Sequence, residues 1–280
     1  NRCSYCAIPI IRGPFEAYGP GAILDDAKRA VEGGARELIV IAQDIASYRS
    51  GGVVLPDLVN DISEIPGVEW IRLMYCHPDH IGEDIISLVR YNRKVVKYCD
   101  IPFQHASAKV LRAMNRKGDR ETYTRLVERL RSEVPGIHLR STFMVGFPGE
   151  TDDDFEELAG FLRDCCLERV GCFVYSPEEG TAAASMGQQV PAKVKRQRFR
   201  KLMSMQKKIS ARALKRMVGS TVRVMVEERI DENTWMGRTE YDAPEVDGIF
   251  YLTVRDASAN TIVVSKVTDA LEYDLYGVPV

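Results

Sequence analysis

Two thiols stand near the start of the chain, Cys3 and Cys6, within Asn1-Arg2-Cys3-Ser4-Tyr5-Cys6-Ala7-Ile8-Pro9. A thiolate is both a soft metal ligand and a nucleophile. Two at this spacing fit half of a zinc site, a redox-active pair, or part of a loop around an iron-sulfur cluster. Zinc would call for two further ligands at comparable spacing nearby, and a redox pair would open a helix on the first strand of a small βαβ domain. Neither follows in the sequence. The total of 7 cysteines is odd, and Cys76, Cys99, Cys165, Cys166 and Cys172 do not space into a secreted framework. They read as small buried hydrophobes in a reducing compartment.

The other polar groups with chemical capacity follow apolar runs. These are Gln43-Asp44, Cys76-His77-Pro78-Asp79-His80, Gln104-His105, Gly146-Phe147-Pro148-Gly149-Glu150 and Ser176-Pro177-Glu178-Glu179-Gly180-Thr181. Singly, each reads as a turn or a helix cap, with Asp79 and Thr151 as caps. Together they imply one functional rim, because loops at one end of successive strands carry function. The three histidines His77, His80 and His105 invite a metal, but Pro78 prevents a regular helix between the first two. Polar contacts near a strand end are expected of them instead.

The elements that would position these groups are β-rich runs at 37–42, 70–75, 97–103, 139–145 and 170–175. Amphipathic helical patterns lie at 24–32, 58–64, 83–92, 120–133 and 152–167. Alternating β and α units predict a mostly parallel sheet. The fold class expected is α/β: a partial (βα)6 TIM-like barrel over residues 1–189, with its first strand upstream of Asn1. A basic linking helix over 190–218 and a small antiparallel β-barrel over 219–280 follow, the latter with strands at 221–227, 235–239, 249–254 and 261–267.

Charge supports the same division. Residues 1–189 carry 22 basic and 28 acidic side chains, 190–218 carry 11 basic and none acidic, and 219–280 carry 5 basic and 12 acidic. A hydrophobic content of 45% and a charged content of 28% suit a globular protein and exclude a disordered or collagen-like one. With no leader and no apolar run of roughly 18 residues, the expectation is a cytoplasmic monomer without membrane contact. The start at Asn1, inside the cysteine motif, is read as the mark of a fragment.

An aromatic directly before the second thiolate, a small residue after it, and the barrel pattern beyond resemble the radical S-adenosylmethionine (SAM) superfamily, and within it the methylthiotransferases. The resemblance covers essentially the whole chain. It implies a C-x3-C-x2-C motif in which Cys3 and Cys6 are the second and third ligands of a 4Fe-4S cluster, the first lying upstream. SAM would chelate the open iron, and an electron from the cluster would cleave its sulfonium to a deoxyadenosyl radical. Tyr5 would lie against the adenine, Gln43, Asp44 and Gln104 would line the methionine and ribose side, and the stretch from Ser141 through Val145 to Glu150 would form the adenine-side strand and turn. The family's amino-terminal domain, with a second 4Fe-4S cluster that supplies sulfur, is absent here. With only two of the three cluster ligands present, this chain alone is expected to be cluster-poor and inactive.

The terminal β-rich segment resembles the family's TRAM domain. Its acidic balance would repel a polyanion, so a basic protein is the expected partner rather than RNA. Gly237-Arg238-Thr239, Asp242-Ala243-Pro244-Glu245-Val246-Asp247-Gly248, Tyr175 to Thr181 and Tyr273-Asp274-Leu275-Tyr276-Gly277 resemble the branch that modifies a ribosomal protein. That branch adds a methylthio group to the β-carbon of an aspartate in small-subunit ribosomal protein twelve. The radical takes the hydrogen, the second cluster delivers sulfur, and a further SAM supplies methyl. The basic helix is expected to be a solvated face over Phe199, Leu202, Met205 and Ile209, with an auxiliary contact to ribosomal RNA. A tRNA adenosine methylthiotransferase and a cluster-free ribosome-binding fragment are the alternatives. The sequence names no electron donor.

Overall fold

The computed structural model describes residues 2–280. Its first part is a curved parallel sheet with helices on its outer face. The strands are β1 (Glu37–Ile41), β2 (Trp70–Met74), β3 (Tyr98–Asp100), β4 (His138–Val145) and β5 (Arg169–Val174). β1 pairs with β2 from Glu37 opposite Trp70, β3 with β4 from Tyr98 opposite His138, and β4 with β5 from Arg140 opposite Arg169. A single bridge from Ile71 to Val95 carries the sheet from β2 toward β3. Every residue of β2 is buried, as a central parallel strand requires.

The helices are α1 (Ile8–Arg12), α2 (Pro20–Glu32), α3 (Leu55–Ser63), α4 (Glu83–Tyr91), α5 (Ala108–Ala113), α6 (Arg120–Glu133), α7 (Asp152–Cys165) and α8 (Ala192–Lys215). α6 begins where Asp119 accepts from the Thr122 N–H. α7 begins with a reciprocal cap between Thr151 and Asp154, and Asp152, Asp153 and Asp154 complement the positive helix start. Leu58, Val59, Ile62, Ile85, Ile86, Tyr123, Val127, Leu158 and Phe161 then join Ile71, Leu73, Leu139 and Phe143 in one core.

After α8, five strands close a small barrel: β6 (Thr221–Arg229), β7 (Thr234–Thr239), β8 (Phe250–Thr253), β9 (Ile262–Ala270) and β10 (Leu275–Pro279). Val222, Val224, Val226, Phe250, Leu252, Val267 and Leu275 fill it. The barrel is not wholly antiparallel, because β8 and β10 close it as a parallel pair. Gly277 lets them meet: a Cβ there would lie 2.4 Å from the Lys266 carbonyl and from the Phe250 ring.

The expected strand at 97–103 is regular only over Tyr98–Asp100, since the chain then turns away, leaving one bridge from Gln104 to Phe143. The helices α1 and α5 and the strand β10 had no sequence expectation. Asp79 does not cap a helix; His77 caps the short turn Pro78–His80 by accepting from the Asp79 N–H at 3.3 Å. Cys76, Cys99, Cys165 and Cys172 are buried free thiols and Cys166 is half-buried. Among the described residues no helix is long and apolar enough to cross a membrane.

Candidate functional site

The inner face of the sheet is divided in two. At the strands' amino ends, the terminal barrel inserts the segment from Arg238 to Asp247. Arg72 donates through Nε to Glu37 at 2.8 Å and through a terminal nitrogen to the Glu240 carbonyl at 3.0 Å. Glu37 also pairs with Arg238, and Arg169 pairs with Asp242. Arg140 bonds Asp100 at 2.9 Å and lies 3.5 Å from Asp247, which accepts from the Tyr98 hydroxyl at 2.6 Å. His138 stacks on Tyr241 with ring centres 4.0 Å apart. Trp70, Met74 and Tyr98 pack apolar surface against Met225 and Ala243. Burial pushes the Asp100 and Asp247 carboxyls up, opposed by Arg140 and Arg169 respectively.

At the carboxyl ends the same face is uncovered. Ile41 is 63% exposed, Phe173 62% and Tyr75 40%. The inner face of a parallel sheet is ordinarily covered, so uncovered apolar residues there mark a place for a ligand. Tyr75 holds a left-handed backbone, φ 63°, with its N–H on Asp100 at 3.3 Å. The buried floor thus reaches up to the loop that carries Tyr75.

The cysteine loop sits at this open end, held by the exit of α5. The Ser4 N–H donates to the Met114 carbonyl at 3.0 Å and the Ser4 hydroxyl to the Ala113 carbonyl at 2.7 Å. Asn115 donates to the Arg2 carbonyl at 2.7 Å, and Arg116 points a terminal nitrogen at the Cys3 sulfur, 3.7 Å away. On the other side the Ala183 N–H donates to the Ser4 carbonyl at 2.8 Å. Cys3 and Cys6 are both half-buried, and the Cys6 N–H donates to the Cys3 carbonyl at 3.1 Å, which makes the pair one turn. Among the described residues no group of three His, Cys, Asp or Glu side chains is arranged to hold a metal ion. As a donor set, two free thiols on one turn, the first facing a guanidinium, fit two of the cysteine ligands of an iron-sulfur cluster.

Tyr5 lies with Val110, Met114, Phe147, Tyr175, Ala183 and Met144, its ring 6.4 Å from that of Phe147. Burial, and then the neighbouring Cys3, push its hydroxyl well above the usual range, so it stays neutral. Tyr5 and the turn after β4 are therefore brought together. That turn is held by Glu150, which accepts from the Gly146 N–H at 2.6 Å and the Phe147 N–H at 3.1 Å and pairs with Arg198 of α8 at 2.8 Å.

The remaining expected ligand residues divide. Gln104 lies at the open end, with φ 69°, its N–H on the Thr142 carbonyl at 2.9 Å and its carbonyl accepting from Met144 at 2.7 Å. Gln43 is exposed at the end of β1. Asp44 is buried, its two oxygens taking the His77 N–H at 3.3 Å and His80 Nδ1 at 2.6 Å, so it fastens two rim loops together. Ser141 and Val145 are fully buried against the helices, Ser141 accepting from the Phe103 N–H at 3.3 Å. The alternation of β4 instead turns Arg140, Thr142 and Met144 inward, so the side chains of Ser141 and Val145 do not face the open end.

Sequence reasoning missed Arg116, whose only signal was a basic cluster, Arg112 with Arg116-Lys117, after an unnoticed helix. A cavity of 490 Å³ opens beside it, lined by Asp79, His80, Arg112, Asn115, Arg116 and Lys117.

Residues 1–162 match the family described as the Radical SAM superfamily. The chain belongs to the radical SAM superfamily. Residues 218–280 of this radical SAM protein match the TRAM domain. It is 44% identical to a protein of Trichlorobacter lovleyi called ribosomal protein uS12 methylthiotransferase RimO, over 98% of this chain and 62% of the relative. A protein of the same name from Desulforudis audaxviator is 44% identical over 98% of this chain and 62% of its own length. The radical SAM chain thus spans about three fifths of the relatives it matches. Among solved structures, coproporphyrinogen III oxidase HemN of Escherichia coli shares the fold at TM-score 0.56 and 14% identity, over 75% of this chain and 50% of that one. The radical SAM methyltransferase TsrM of Kitasatospora setae does so at TM-score 0.54 and 17% identity, over 65% and 36%. The superfamily uses iron-sulfur clusters together with SAM.

Proposed function

We propose that the protein to which this chain belongs attaches a methylthio group to an aspartate of ribosomal protein uS12, and that this chain supplies the radical SAM and TRAM parts. The observation that carries the reading is the Cys3–Cys6 turn, clamped by α5 beside the uncovered inner face. The likeness at 44% identity to two proteins of that stated activity supports the substrate. A bound 4Fe-4S cluster would supply the electron that cleaves SAM. Cys3 and Cys6 would hold it with a third cysteine upstream, and an amino-terminal domain would carry the second cluster.

The chain's own residues have defined tasks in this reading. Tyr5, backed by the buried Phe147, offers an aromatic edge to the adenine, and Gln104 offers a side-chain amide at the same end. Ile41, Tyr75 and Phe173 exclude water from the place where a radical would be exposed. Asp44 locks the loops after β1 and β2 by gripping His77 and His80. Burial and the nearby Arg116 hold the His77 imidazole down to about 4, so it is neutral at pH 7.

The terminal barrel presents six exposed carboxylates, Glu228, Asp231, Glu232, Glu245, Asp256 and Asp269, against three exposed cations, Arg229, Arg255 and Lys266. Other acids of this segment, such as Asp242 and Asp247, are spent inside, so the outer surface is less acidic than the sequence count suggests. It is still a poor match for a polynucleotide and a good one for a basic ribosomal protein. On α8, Lys195 and Arg198 are buried, while Lys193, Arg196, Arg200, Lys208, Arg212, Lys215 and Arg216 face solvent. That exposed row is where ribosomal RNA would touch.

The test uses the full-length protein, reconstituted anaerobically and given SAM, a chemical reductant and either uS12 or tRNA. Mass spectrometry should find the methylthio group on an aspartate of uS12. Its appearance on a tRNA adenosine alone would establish the alternative. Loss of about half the iron, one of the two clusters, in Cys3→Ala and Cys6→Ala variants completes the test, and undiminished iron in both refutes the ligand assignment.

A further inference from the structure

Arg116 is a buried cation with an unusual set of partners. Its residue is 7% exposed, one terminal nitrogen donates to the Pro102 carbonyl at 2.7 Å, and its Nε has no partner. The second terminal nitrogen points at Cys3 Sγ at 3.7 Å, within the reach of an N–H···S hydrogen bond. Among the described residues no carboxylate lies within 4.0 Å of it, whereas the other buried arginines, Arg72, Arg169, Arg198 and Arg238, each pair with at least one. A buried guanidinium without an anion is costly. The group placed to be its counter-charge is the sulfur of Cys3.

The position of Arg116 is fixed rather than incidental. Four consecutive residues, Ala113 to Arg116, each contact the segment Arg2 to Ser4. Asn115 takes a left-handed backbone, φ 58°, which turns the chain sharply after α5. The Arg116 N–H returns to the Leu111 carbonyl at 2.8 Å. The turn that grips the cysteine loop therefore also aims the guanidinium at a cluster ligand.

We infer that Arg116 is a positioning residue that hydrogen-bonds the Cys3 thiolate of the bound cluster and raises the cluster's reduction potential. The inference rests on the cluster assignment above. Reduction adds one electron to the cluster and no proton, so it adds one negative charge. A cation and N–H donor on a ligand sulfur stabilises that extra charge more than it stabilises the oxidised form. Arg116 thereby makes the cluster easier to reduce, whatever donor delivers the electron.

The experiment is a redox titration of the full-length reconstituted protein, wild type against Arg116→Gln and Arg116→Lys, with dithionite as reductant. Electron paramagnetic resonance follows the signal that changes when SAM is added. Iron and sulfide are counted first. A wild type without cluster sinks the functional reading and leaves the Arg116 geometry aside. Given full iron content, Arg116→Gln should lower the reduction equilibrium constant at least tenfold, about 59 mV for one electron. A constant within threefold of wild type overturns the inference. If Arg116→Gln lacks the SAM-responsive cluster, Arg116→Lys decides: its less directional donor should lower the constant, and an equal or higher one overturns the inference. A purely structural arginine would change iron content or thermal stability without moving the potential.

Discussion

Replacing Asp242 by Asn should strongly destabilise the chain, because it leaves Arg169 buried beside a neutral amide. The Arg169 and Asp242 side chains are 5% and 3% exposed, and Asp242 also accepts from the Thr239 hydroxyl at 2.6 Å. Asparagine keeps the shape, but its one oxygen replaces two that accept separately from Arg169 and Thr239, so the substitution removes the charge and one acceptor together. Removing one partner of a buried ion pair costs about 3–5 kcal/mol, since the other charge stays unpaired in a medium of low polarity. Asp247 lies near enough to Arg169 to favour its charge, and Arg169 also donates to the Tyr273 carbonyl at 2.9 Å. Both soften the loss, which places it at the lower end, about 3 kcal/mol. Urea unfolding should show a fall in midpoint at unchanged slope. At about 2–4 °C per kcal/mol for a chain of this order of size, the melting temperature should drop by roughly 6–12 °C. The control is Glu121→Gln, which breaks the pair with Arg125 at 64% and 78% exposure and should cost under about 0.5 kcal/mol. A loss below about 1 kcal/mol in Asp242→Asn would show that the two parts are not joined through their charges.

Three further outcomes are expected. Gly248→Ala should cost about 3 kcal/mol or more by urea unfolding, since its Cβ would lie 1.8 Å from the Tyr273 carbonyl oxygen; a wild-type midpoint would refute the close approach. Within α8, Arg198→Ala should cost about 3–5 kcal/mol by orphaning the buried Glu150, whereas exposed Arg196→Ala should stay within about 0.5 kcal/mol. Burial holds His105 neutral, its imidazole pushed down from 6.5 to about 3. The unfolded chain therefore takes up a proton that the native state refuses. Stability present above pH 6.5 is lost as pH falls toward the native value, by about 2–3 kcal/mol at pH 4.5. Unfolding midpoints measured from pH 7 to 4.5 should be flatter in a His105→Gln variant, and equal slopes would count against this account.

Much of the sheet was legible because its strands are apolar runs between turn residues. β1, β2, β4 and β5 each lie within a residue of the expected ends, and α6 matches at both. Thr151 was recognisable as a cap because its reciprocal partner Asp154 stands three residues on. β10 was hidden because Gly277 and Pro279 lower its strand character, and only the crowding around Phe250 explains the glycine. α5 was hidden because Ala108–Ala113 is too short to show a helical period. That helix clamps the cysteine loop, so missing it also hid Arg116. On β4 the structure turns the side chains of the two residues expected at the ligand, Ser141 and Val145, away from the open end. Ser141 and Val145 belong to the layer under the helices, and a period of two fixes which residues share a face without saying which face is open. Asp44 was placed at the rim correctly, but its grip on His77 and His80 depends on two loops 33 and 36 residues away in sequence.

The division of the inner face gives the sheet the topology of a well with one mouth. Arg72, Arg140, Arg169 and the inserted segment from Arg238 to Asp247 stop its lower end. On this inner face the open end is the one where Ile41, Tyr75 and Phe173 lie bare. If a small molecule seats there beneath a protein-sized partner, as proposed above, the smaller must arrive first and leave last.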